Sequence, residues 1–329
     1  MNKPLGEFDL IARYFTRPTK RAVLGVGDDC ALLQPAAGMQ LAVSSDMLVE
    51  GRHFFSDVNP VFLGHKALAV NLSDLAACGA TPLAFTLALA LPRADEAWLQ
   101  GFSAGLWALA DAHHCELIGG DTTQGPLNIC ITVFGEVPRG QALLRSGAQA
   151  GDDVYVSGTL GDARFALDML RQPTPTASPE LLAQARIRLE QPTPRVALGQ
   201  ALRGIATAAI DISDGLAGDL GHILAASGKG ATLETSIAMN LIAAGVQNTG
   251  TAGTFDPQMQ LEYVLAGGDD YELAFTAPVA ARDAVLLAAS RSDTPVTRVG
   301  RIDHQPGLRL IDAQGRITSP VLKSFDHFA

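Results

Sequence analysis

The sequence predicts an α+β protein built from two domains of similar size. The chain has 329 residues, 47% of them hydrophobic, which is enough for two cores of ordinary size. Strand patterns alternate with two long helix patterns up to residue 138, and a new series of strands and helices begins after residue 150. No repeat period is present. We therefore expect an N-terminal domain over residues 1–138 and a C-terminal domain over residues 150–329.

The first strand and the first long helix each carry an aspartate in a notable place. Apolar residues alternate over Gln40–Leu48 and predict a strand that ends at Asp46. An asparagine–proline start and a glycine stop predict a helix from about Pro60 to Cys78. Asp74 continues the apolar stripe of this helix, so its carboxylate is expected on a buried face or in a cleft.

The remaining elements follow from the same patterns. In the first half, the sequence predicts strands at Ala84–Leu91, Cys115–Gly120 and Leu127–Val137, and a helix at about Asp95–His113. The stretch Pro138–Asp152 is rich in glycine and polar residues and is the best candidate for a linker. In the second half, the sequence predicts strands at Asp153–Gly158, Thr294–Ile302 and Leu308–Asp312, a helix from Asp162, and a strand running through a turn into a helix over Ala208–Leu224.

Composition excludes several classes of partner. The net charge is −10 and no lysine–arginine block is present, so a nucleic-acid partner is not expected. The four cysteines are scattered without a CxxC pair, which favours reduced thiols and a cytoplasmic location. The most apolar run, "PLAFTLALALP", is too short to cross about 30 Å of hydrocarbon, and the N-terminus has no apolar signal core, so we expect no membrane insertion.

Six times an aspartate follows glycine or serine at the edge of an apolar segment: "GVGDD", "VSSDM", "NLSDL", "IGGDTT", "DISDG" and "AGGDDYE". A single case is explained as a helix cap or turn. Two unit charges at 4 Å repel by roughly 1 kcal/mol in water and about 4 kcal/mol near a protein surface, so converging carboxylates need a cation. Oxygen ligands select a hard ion, and Mg²⁺ fits better than Ca²⁺ because no EF-hand spacing is present.

Carboxylates with glycines suggest phosphate chemistry, but the usual nucleotide motifs are absent. The chain has no GxxxxGK[ST] and no HRD or DFG set, and Cys30 stands where a GxGxxG motif would end. A polyphosphate held among carboxylates needs a positive contact. The candidates are Arg145, and Arg52 beside His53, which sit in loops close in sequence to the acidic turns.

Taken in order, the motifs resemble the thiamine-monophosphate kinase family, which belongs to the ATP-using proteins related to aminoimidazole ribonucleotide synthetase. The matching stretches run through most of the chain: "GVGDDCALL", "HFF", "KALAVNLSDLAACGA", "IGGDTTQGPL", "RSGAQAGD", "AIDISDGLAGDLGHI" and "GGDDYEL". The resemblance implies transfer of the γ-phosphate of ATP directly to thiamine monophosphate, with Mg²⁺ bridging carboxylates and phosphates. It also implies the two-domain fold of that group: an N-terminal mixed sheet with helices that binds metal and nucleotide and forms a homodimer, and a C-terminal α/β domain that completes the cleft.

The resemblance further assigns roles to individual positions. It implies metal ligands, some of them through water, at Asp29, Ser44, Ser45, Asp46, Asp74, Asp121, Asp211 and Asp214. It implies ATP contacts at Gly120, Asp121, Arg145 and Ser213, and thiamine-substrate contacts at His53, Asp269 and Phe325. No general base is assigned, because the acceptor oxygen belongs to a phosphate that is largely ionised at neutral pH.

Two departures from the family pattern concern the thiamine contacts. The family commonly has Glu at the position of Asp269, and Gly followed by Tyr or Trp at Ser324 and Phe325. Asp shortens the reach by one methylene, and Phe stacks without donating a hydrogen bond. Two alternatives stay open: another ATP-using enzyme on the same scaffold, and a non-catalytic module that binds Mg²⁺ or nucleotide.

Overall fold

A computed structural model describes residues 6–172, 179–242 and 256–319. The chain divides into two compact units. Unit 1 consists of Met1–Leu75 and Ala80–Gly140, and unit 2 of Ala76–Gly79 and Gln141–Ala329. Both units combine helices with a mixed sheet, so the predicted α+β class is confirmed.

Unit 1 has a four-stranded sheet in the order β1-β4-β2-β3, in which only β2 and β3 run parallel. Its strands are β1 (Met39–Val49), β2 (Thr81–Leu91), β3 (Glu116–Gln124) and β4 (Asn128–Pro138). Its helices are α1 (Glu7–Leu10), which continues into a π-helical turn over Ile11–Phe15, then α2 (Pro60–Ala77) and α3 (Glu96–Ala112). The predicted elements are all present, with bounds that differ by a few residues.

The two faces of this sheet differ in burial. Helix α2 buries the stripe predicted for it, with Leu63, Ala67 and Val70 at 2% exposure or less. The side chains of Leu41, Val43 and Met47 alternate on the other face of β1 and are 44%, 56% and 52% exposed. Unit 1 is therefore covered by helix on one side of its sheet and leaves apolar side chains on the other.

Unit 2 has a seven-stranded sheet in the order β11-β10-β7-β9-β5-β8-β6, in which β7 and β10 run parallel. Its strands are β5 (Asp153–Ser157), β6 (Ala208–Ile212), β7 (Gly230–Glu234), β8 (Glu272–Ala277), β9 (Val296–Asp303), β10 (Gly307–Ile311) and β11 (Ile317–Thr318). Its helices are α4 (Asp162–Arg171), α5 (Pro179–Glu190), α6 (Val196–Ala201), α7 (Leu216–Ser227), α8 (Thr235–Ala238), α9 (Pro257–Ala266) and α10 (Arg282–Arg291).

The core of unit 2 joins strands of its sheet to helix α7. Val154 on β5 and Ile210 on β6 belong to one buried cluster with Leu216, Leu220 and Ile223 of α7. Strand β6 therefore leads through a short turn into a helix that packs back beside it, as the sequence predicts. None of the helices in the described ranges combines the length and the apolar character that a membrane crossing requires.

Candidate active site

A cavity of about 640 Å³ lies in unit 1 beside strands β2 and β3. Its two walls have different chemistry. The apolar wall contains Phe8, Ile11 and Phe15 of the N-terminal helical segment, and the polar wall contains Asp28, Asp29, Gly119, Gly120, Asp121 and Thr122. Three residues assigned from the sequence, Asp29, Gly120 and Asp121, therefore line one cavity. All three are exposed, so their polar groups are open to a ligand.

The backbone of the polar wall depends on Gly120. Its φ is +146°, and an added Cβ would lie 1.9 Å from the carbonyl oxygen of Leu87 on the neighbouring strand. Only glycine fits this conformation and this close approach. On the opposite turn, Asp28 accepts a hydrogen bond from the backbone N–H of Asp29 at 2.8 Å, as an aspartate does in a tight turn.

A second group of assigned residues lies where β1 faces α2. Ser44 donates a hydrogen bond to the carboxylate of Asp74 at 2.5 Å. The backbone N–H of Asp46 donates to the side chain of Asn71 on the same helix, at 3.1 Å. Ser44 and Asp46 are two residues apart and share a face of the strand. The resemblance assigns both Asp74 on the helix and Ser44 on the strand, and the structure brings these two side chains into contact.

Ser45 points to the other face of the sheet. Its hydroxyl contacts Thr132 Oγ1 at 3.0 Å and the carbonyl oxygen of Ile131 at 3.2 Å. Because successive side chains of a strand alternate in direction, the hydroxyl of Ser45 points away from the side chains of Ser44 and Asp46. The structure therefore separates this hydroxyl from the other assigned groups of β1.

His53 closes the turn that follows β1. The ring Nδ1 of His53 accepts a hydrogen bond from the backbone N–H of Val49 at 3.0 Å, and the backbone N–H of His53 donates to the carbonyl oxygen of Val49 at 3.0 Å. The ring is half-buried. An accepting Nδ1 places the proton of the neutral imidazole on Nε2, so the ring is oriented as a donor at that atom.

In unit 2, two acidic motifs that are far apart in the sequence meet at the ends of adjacent strands. Strands β6 and β8 are antiparallel neighbours, with Ile212 opposite Glu272. The N–H of Asp269 donates to the carbonyl oxygen of Ser213 at 2.8 Å, and the N–H of Tyr271 donates to that of Ile212 at 2.8 Å. The loops "DISDG" and "GGDDYE" therefore form one surface that carries Ser213 and Asp269. Asp211 is buried on β6, and Asp214 is half-buried in the turn.

The "GGDDYE" loop holds its backbone in an unusual conformation. Asp269 and Tyr271 have φ values of +66° and +51°. Left-handed backbone at a residue other than glycine costs on the order of 1–3 kcal/mol and concentrates at functional sites. Between them, Asp270 is buried and accepts the backbone N–H of Gly161 with both carboxylate oxygens, at 3.0 and 3.1 Å. Burial raises the pKa of Asp270 well above its usual value, so this residue serves the fold while Asp269 remains on the surface.

Sequence reasoning missed Asp219. This residue lies in the first turn of α7, is 4% exposed, and accepts the backbone N–H groups of Ser213 and Asp214 at 3.1 and 3.0 Å. Burial raises its pKa to about 6. Its position in the first helical turn after "DISDG" is the signal that could have identified it, because a carboxylate there can accept the free N–H groups of the turn.

Arg145 lies at the opposite end of β6 from Ser213. The carbonyl oxygen of Leu144 accepts the N–H of Ala209 at the start of the strand, and a five-residue strand is about 17 Å long. Within the described ranges, the exposed guanidinium of Arg145 has no hydrogen bond or ion pair. The backbones of Arg145 and Ser213 therefore lie near opposite ends of β6. Phe325 lies outside the described residues.

Several of the acidic residues in the described ranges lie near one another, but their side chains are not grouped as the ligands of a metal ion. In the part of the chain that the structure describes, no three His, Cys, Asp or Glu side chains are grouped to hold a metal. Carboxylate and hydroxyl oxygens nevertheless suit Mg²⁺, which keeps several waters and takes further ligands from substrate phosphates. This donor set fits Mg²⁺ better than Ca²⁺, which needs six to eight oxygens.

Comparison with known proteins gives a consistent result. Residues 27–137 match the model of the AIR synthase related protein N-terminal domain, and residues 149–313 match that of the C-terminal domain. The thiamine-monophosphate kinase of Salmonella typhimurium is 45% identical over 331 residues, which cover 98% of each chain. The crystal structure of thiamine-monophosphate kinase from Stenotrophomonas maltophilia K279a has a TM-score of 0.80 at 46% identity, covering 92% of this chain and 94% of that one. A solved structure of AaThiL complexed with AMPPCP and TMP has a TM-score of 0.73 at 28% identity, covering 90% and 89%.

Proposed function

The chain belongs to the AIR synthase related proteins and, within them, to the thiamine-monophosphate kinases, and we propose a role for each part of its site. Its activity is the ATP-dependent phosphorylation of thiamine monophosphate, which gives thiamine diphosphate and ADP. The observation that carries the proposal is the cavity of unit 1, which Asp29, Gly120 and Asp121 line together with the apolar side chains of Phe8, Ile11 and Phe15. A flat base suits the apolar wall, and phosphates suit the polar wall once its charge is neutralised.

The residues that would hold Mg²⁺ are acidic side chains found in each of the two units. In unit 1 these are Asp29 and Asp121 at the cavity, and Asp74 with Asp46 and the hydroxyl of Ser44 beside β1. In unit 2 they are Asp211 and Asp214. The hydroxyl of Ser45 contacts the other face of the sheet, so we assign it no ligand bond through that atom. When bound, Mg²⁺ neutralises part of the charge on the two phosphates that must approach each other.

The remaining contacts belong to loops and turns. Arg145, whose guanidinium has no partner in the part of the chain that the structure describes, contacts phosphate oxygens of ATP, and Ser213 and Gly120 contact other parts of ATP. His53 and Asp269 contact the thiamine substrate, together with Phe325. The acceptor is an ionised phosphate oxygen, so transfer depends on positioning and on charge neutralisation and needs no general base.

We further propose that two protomers pair through the uncovered face of the unit 1 sheet, and that the enzyme is cytoplasmic. The exposed Leu41, Val43 and Met47 support the pairing, because contiguous apolar side chains on a surface mark an interaction site. The four cysteines all lie in the described ranges and form no disulfide there, which fits a reducing compartment. Val43→Glu is expected to convert a dimer into a monomer in light-scattering measurements. A wild-type chain with the mass of one protomer would contradict the pairing.

The function is tested by measuring ADP release and product formation together. The purified protein with ATP and Mg²⁺ is expected to release ADP faster when thiamine monophosphate is added, and chromatography should show equal amounts of thiamine diphosphate. Unphosphorylated thiamine is the matched control and should leave the rate unchanged, because it lacks the acceptor phosphate. ADP release that does not respond to thiamine monophosphate would overturn the proposal and favour a nucleotide-binding module.

A further inference from the structure

The loop that carries Arg145 is tied to the end of helix α7. We define the arginine loop as residues 144–149. Ser227, the last residue of α7, accepts the backbone N–H groups of Gly147 and Ala148 through its hydroxyl oxygen, each at 3.2 Å. The same hydroxyl lies 3.4 Å from the carbonyl oxygen of Arg145, to which it donates. One side chain therefore satisfies three backbone groups within four residues of the loop.

The support behind Ser227 is rigid. Helix α7 buries Leu220, Ile223 and Leu224 at 5% exposure or less in the core of unit 2. A hydroxyl at the end of such a helix is fixed in position by the packing of the helix. The position of the arginine loop is therefore coupled to that core through Ser227.

The other side of the arginine loop rests on the start of β6. Gly147 has a φ of +124°, and an added Cβ would lie 2.3 Å from the carbonyl oxygen of Thr207. The N–H of Gln149 donates to the carboxylate of Asp152 at 2.9 Å, and the hydroxyl of Thr207 donates to the same oxygen at 2.7 Å. The loop backbone is thus held between Ser227 on one side and Thr207 with Asp152 on the other.

These contacts fix the backbone of the arginine loop, but none of them involves the guanidinium of Arg145. The guanidinium of Arg145 is exposed and has no partner among the described residues. From this contrast we propose that Ser227 is a positioning residue for Arg145, and that it sets the affinity for ATP without touching the nucleotide. The inference rests on the proposed assignment of Arg145 to the phosphates of ATP. A fixed backbone lowers the conformational cost of placing a long side chain on its ligand.

Ser292 provides a matched control. It lies directly after the last residue of a helix, α10, whereas Ser227 is the last residue of its helix, and both serines are half-buried. Its hydroxyl donates only to carbonyl oxygens of its own helix, those of Ala288 and Ala289, at 2.9 and 3.1 Å. Ser292→Ala therefore removes a helix-end hydroxyl without releasing a loop.

The test compares Ser227→Ala, Ser227→Thr and Ser292→Ala in the full-length protein. Titration with AMPPCP and Mg²⁺ is expected to show about tenfold weaker binding for Ser227→Ala, the size expected when one to two hydrogen bonds are lost. The KM for ATP should rise by a similar factor, while the KM for thiamine monophosphate stays within twofold. Ser227→Thr, which keeps the hydroxyl, should recover most of the affinity, and Ser292→Ala should match the wild type.

Two further measurements separate positioning from general destabilisation. In an Arg145→Ala background, Ser227→Ala should have no additional effect on AMPPCP binding, because its action passes through that arginine. In the wild type, hydrogen exchange should show protected amides at Gly147 and Ala148. Unprotected amides, additive effects, or equal changes for ATP and thiamine monophosphate would each overturn the proposal. If thiamine monophosphate failed to stimulate turnover in the wild type, the proposed function would fall, while the AMPPCP titration would still decide the role of Ser227.

Discussion

Gly120→Ala is expected to destabilise unit 1 strongly, whereas Gly119→Ala on the same strand is not. At position 120 the backbone φ is +146°, and the new Cβ would lie 1.9 Å from the carbonyl oxygen of Leu87. Backbone strain of about 1–3 kcal/mol adds to an overlap that is relieved only by moving β2 away from β3, so we expect a loss of about 3 kcal/mol or more. At Gly119 the nearest atom to the added Cβ is Thr86 Cγ2 at 3.9 Å. The expected change there is below about 1 kcal/mol.

Thermal unfolding followed by circular dichroism measures both variants. A change of 1 kcal/mol shifts the midpoint by roughly 2–4 °C in a protein of this size class, so Gly120→Ala should melt about 6–12 °C below the wild type and Gly119→Ala within about 4 °C. Below the melting temperature, Gly120→Ala should also bind AMPPCP more weakly, because Gly120 forms part of the cavity wall. Equal melting temperatures for the two variants would refute the reasoning, since only position 120 combines strain with overlap.

Three other predictions concern charged residues. Asp121→Asn should lower turnover by at least about 100-fold and leave the melting temperature nearly unchanged, because the carboxylate is exposed; normal turnover would remove it from the phosphate site. The hydrogen bonds from Arg282 hold the pKa of Asp153 below its usual value, so this pair stabilises the fold at neutral pH and loses its effect as the pH falls through the lowered pKa. Arg282→Gln should therefore lower the free energy of unfolding at pH 7 in denaturant titrations, with the difference vanishing in acid; a pH-independent difference would contradict this cause. Glu272→Gln should cost about 3–5 kcal/mol, because two arginines would lose the charge of a fully buried partner; a melting temperature equal to that of the wild type would contradict it.

Local patterns predicted the elements of unit 1 well because its strands and helices follow simple periods. The helix predicted for Pro60–Cys78 is observed at Pro60–Ala77, and the one predicted for Asp95–His113 is observed at Glu96–Ala112. Asp95 itself caps the second helix by accepting the N–H groups of Ala97 and Trp98. The strand predicted to end at Asp46 continues to Val49. Pairing with β4 extends it, and pairing is a property of the sheet that the strand alone does not encode.

The site was harder to predict, because it depends on which residues meet. The motifs identified the acidic turns, but they could not show that "DISDG" and "GGDDYE" lie on adjacent strands. They also could not separate the two serines of "VSSDM", whose hydroxyls face opposite sides of the sheet. Asp219 and Ser227 were missed for the same reason. Each acts on backbone groups of a motif that was assigned, and the motif patterns do not encode such contacts; only Asp219 carries a local signal, its place in the first helical turn after "DISDG".

The departure at Asp269 has a physical consequence that follows from its backbone. The residue has a φ of +66°, a region in which Asp and Asn are enriched over longer side chains. The Asp side chain therefore suits this conformation better than the Glu common in the family. Its carboxylate reaches less far from the backbone, because the side chain has one methylene fewer. Its N–H stays bonded to Ser213, so the loop keeps its place beside "DISDG" whichever acid is present. The substitution should thus alter contact with the thiamine substrate while leaving the nucleotide side of the site intact.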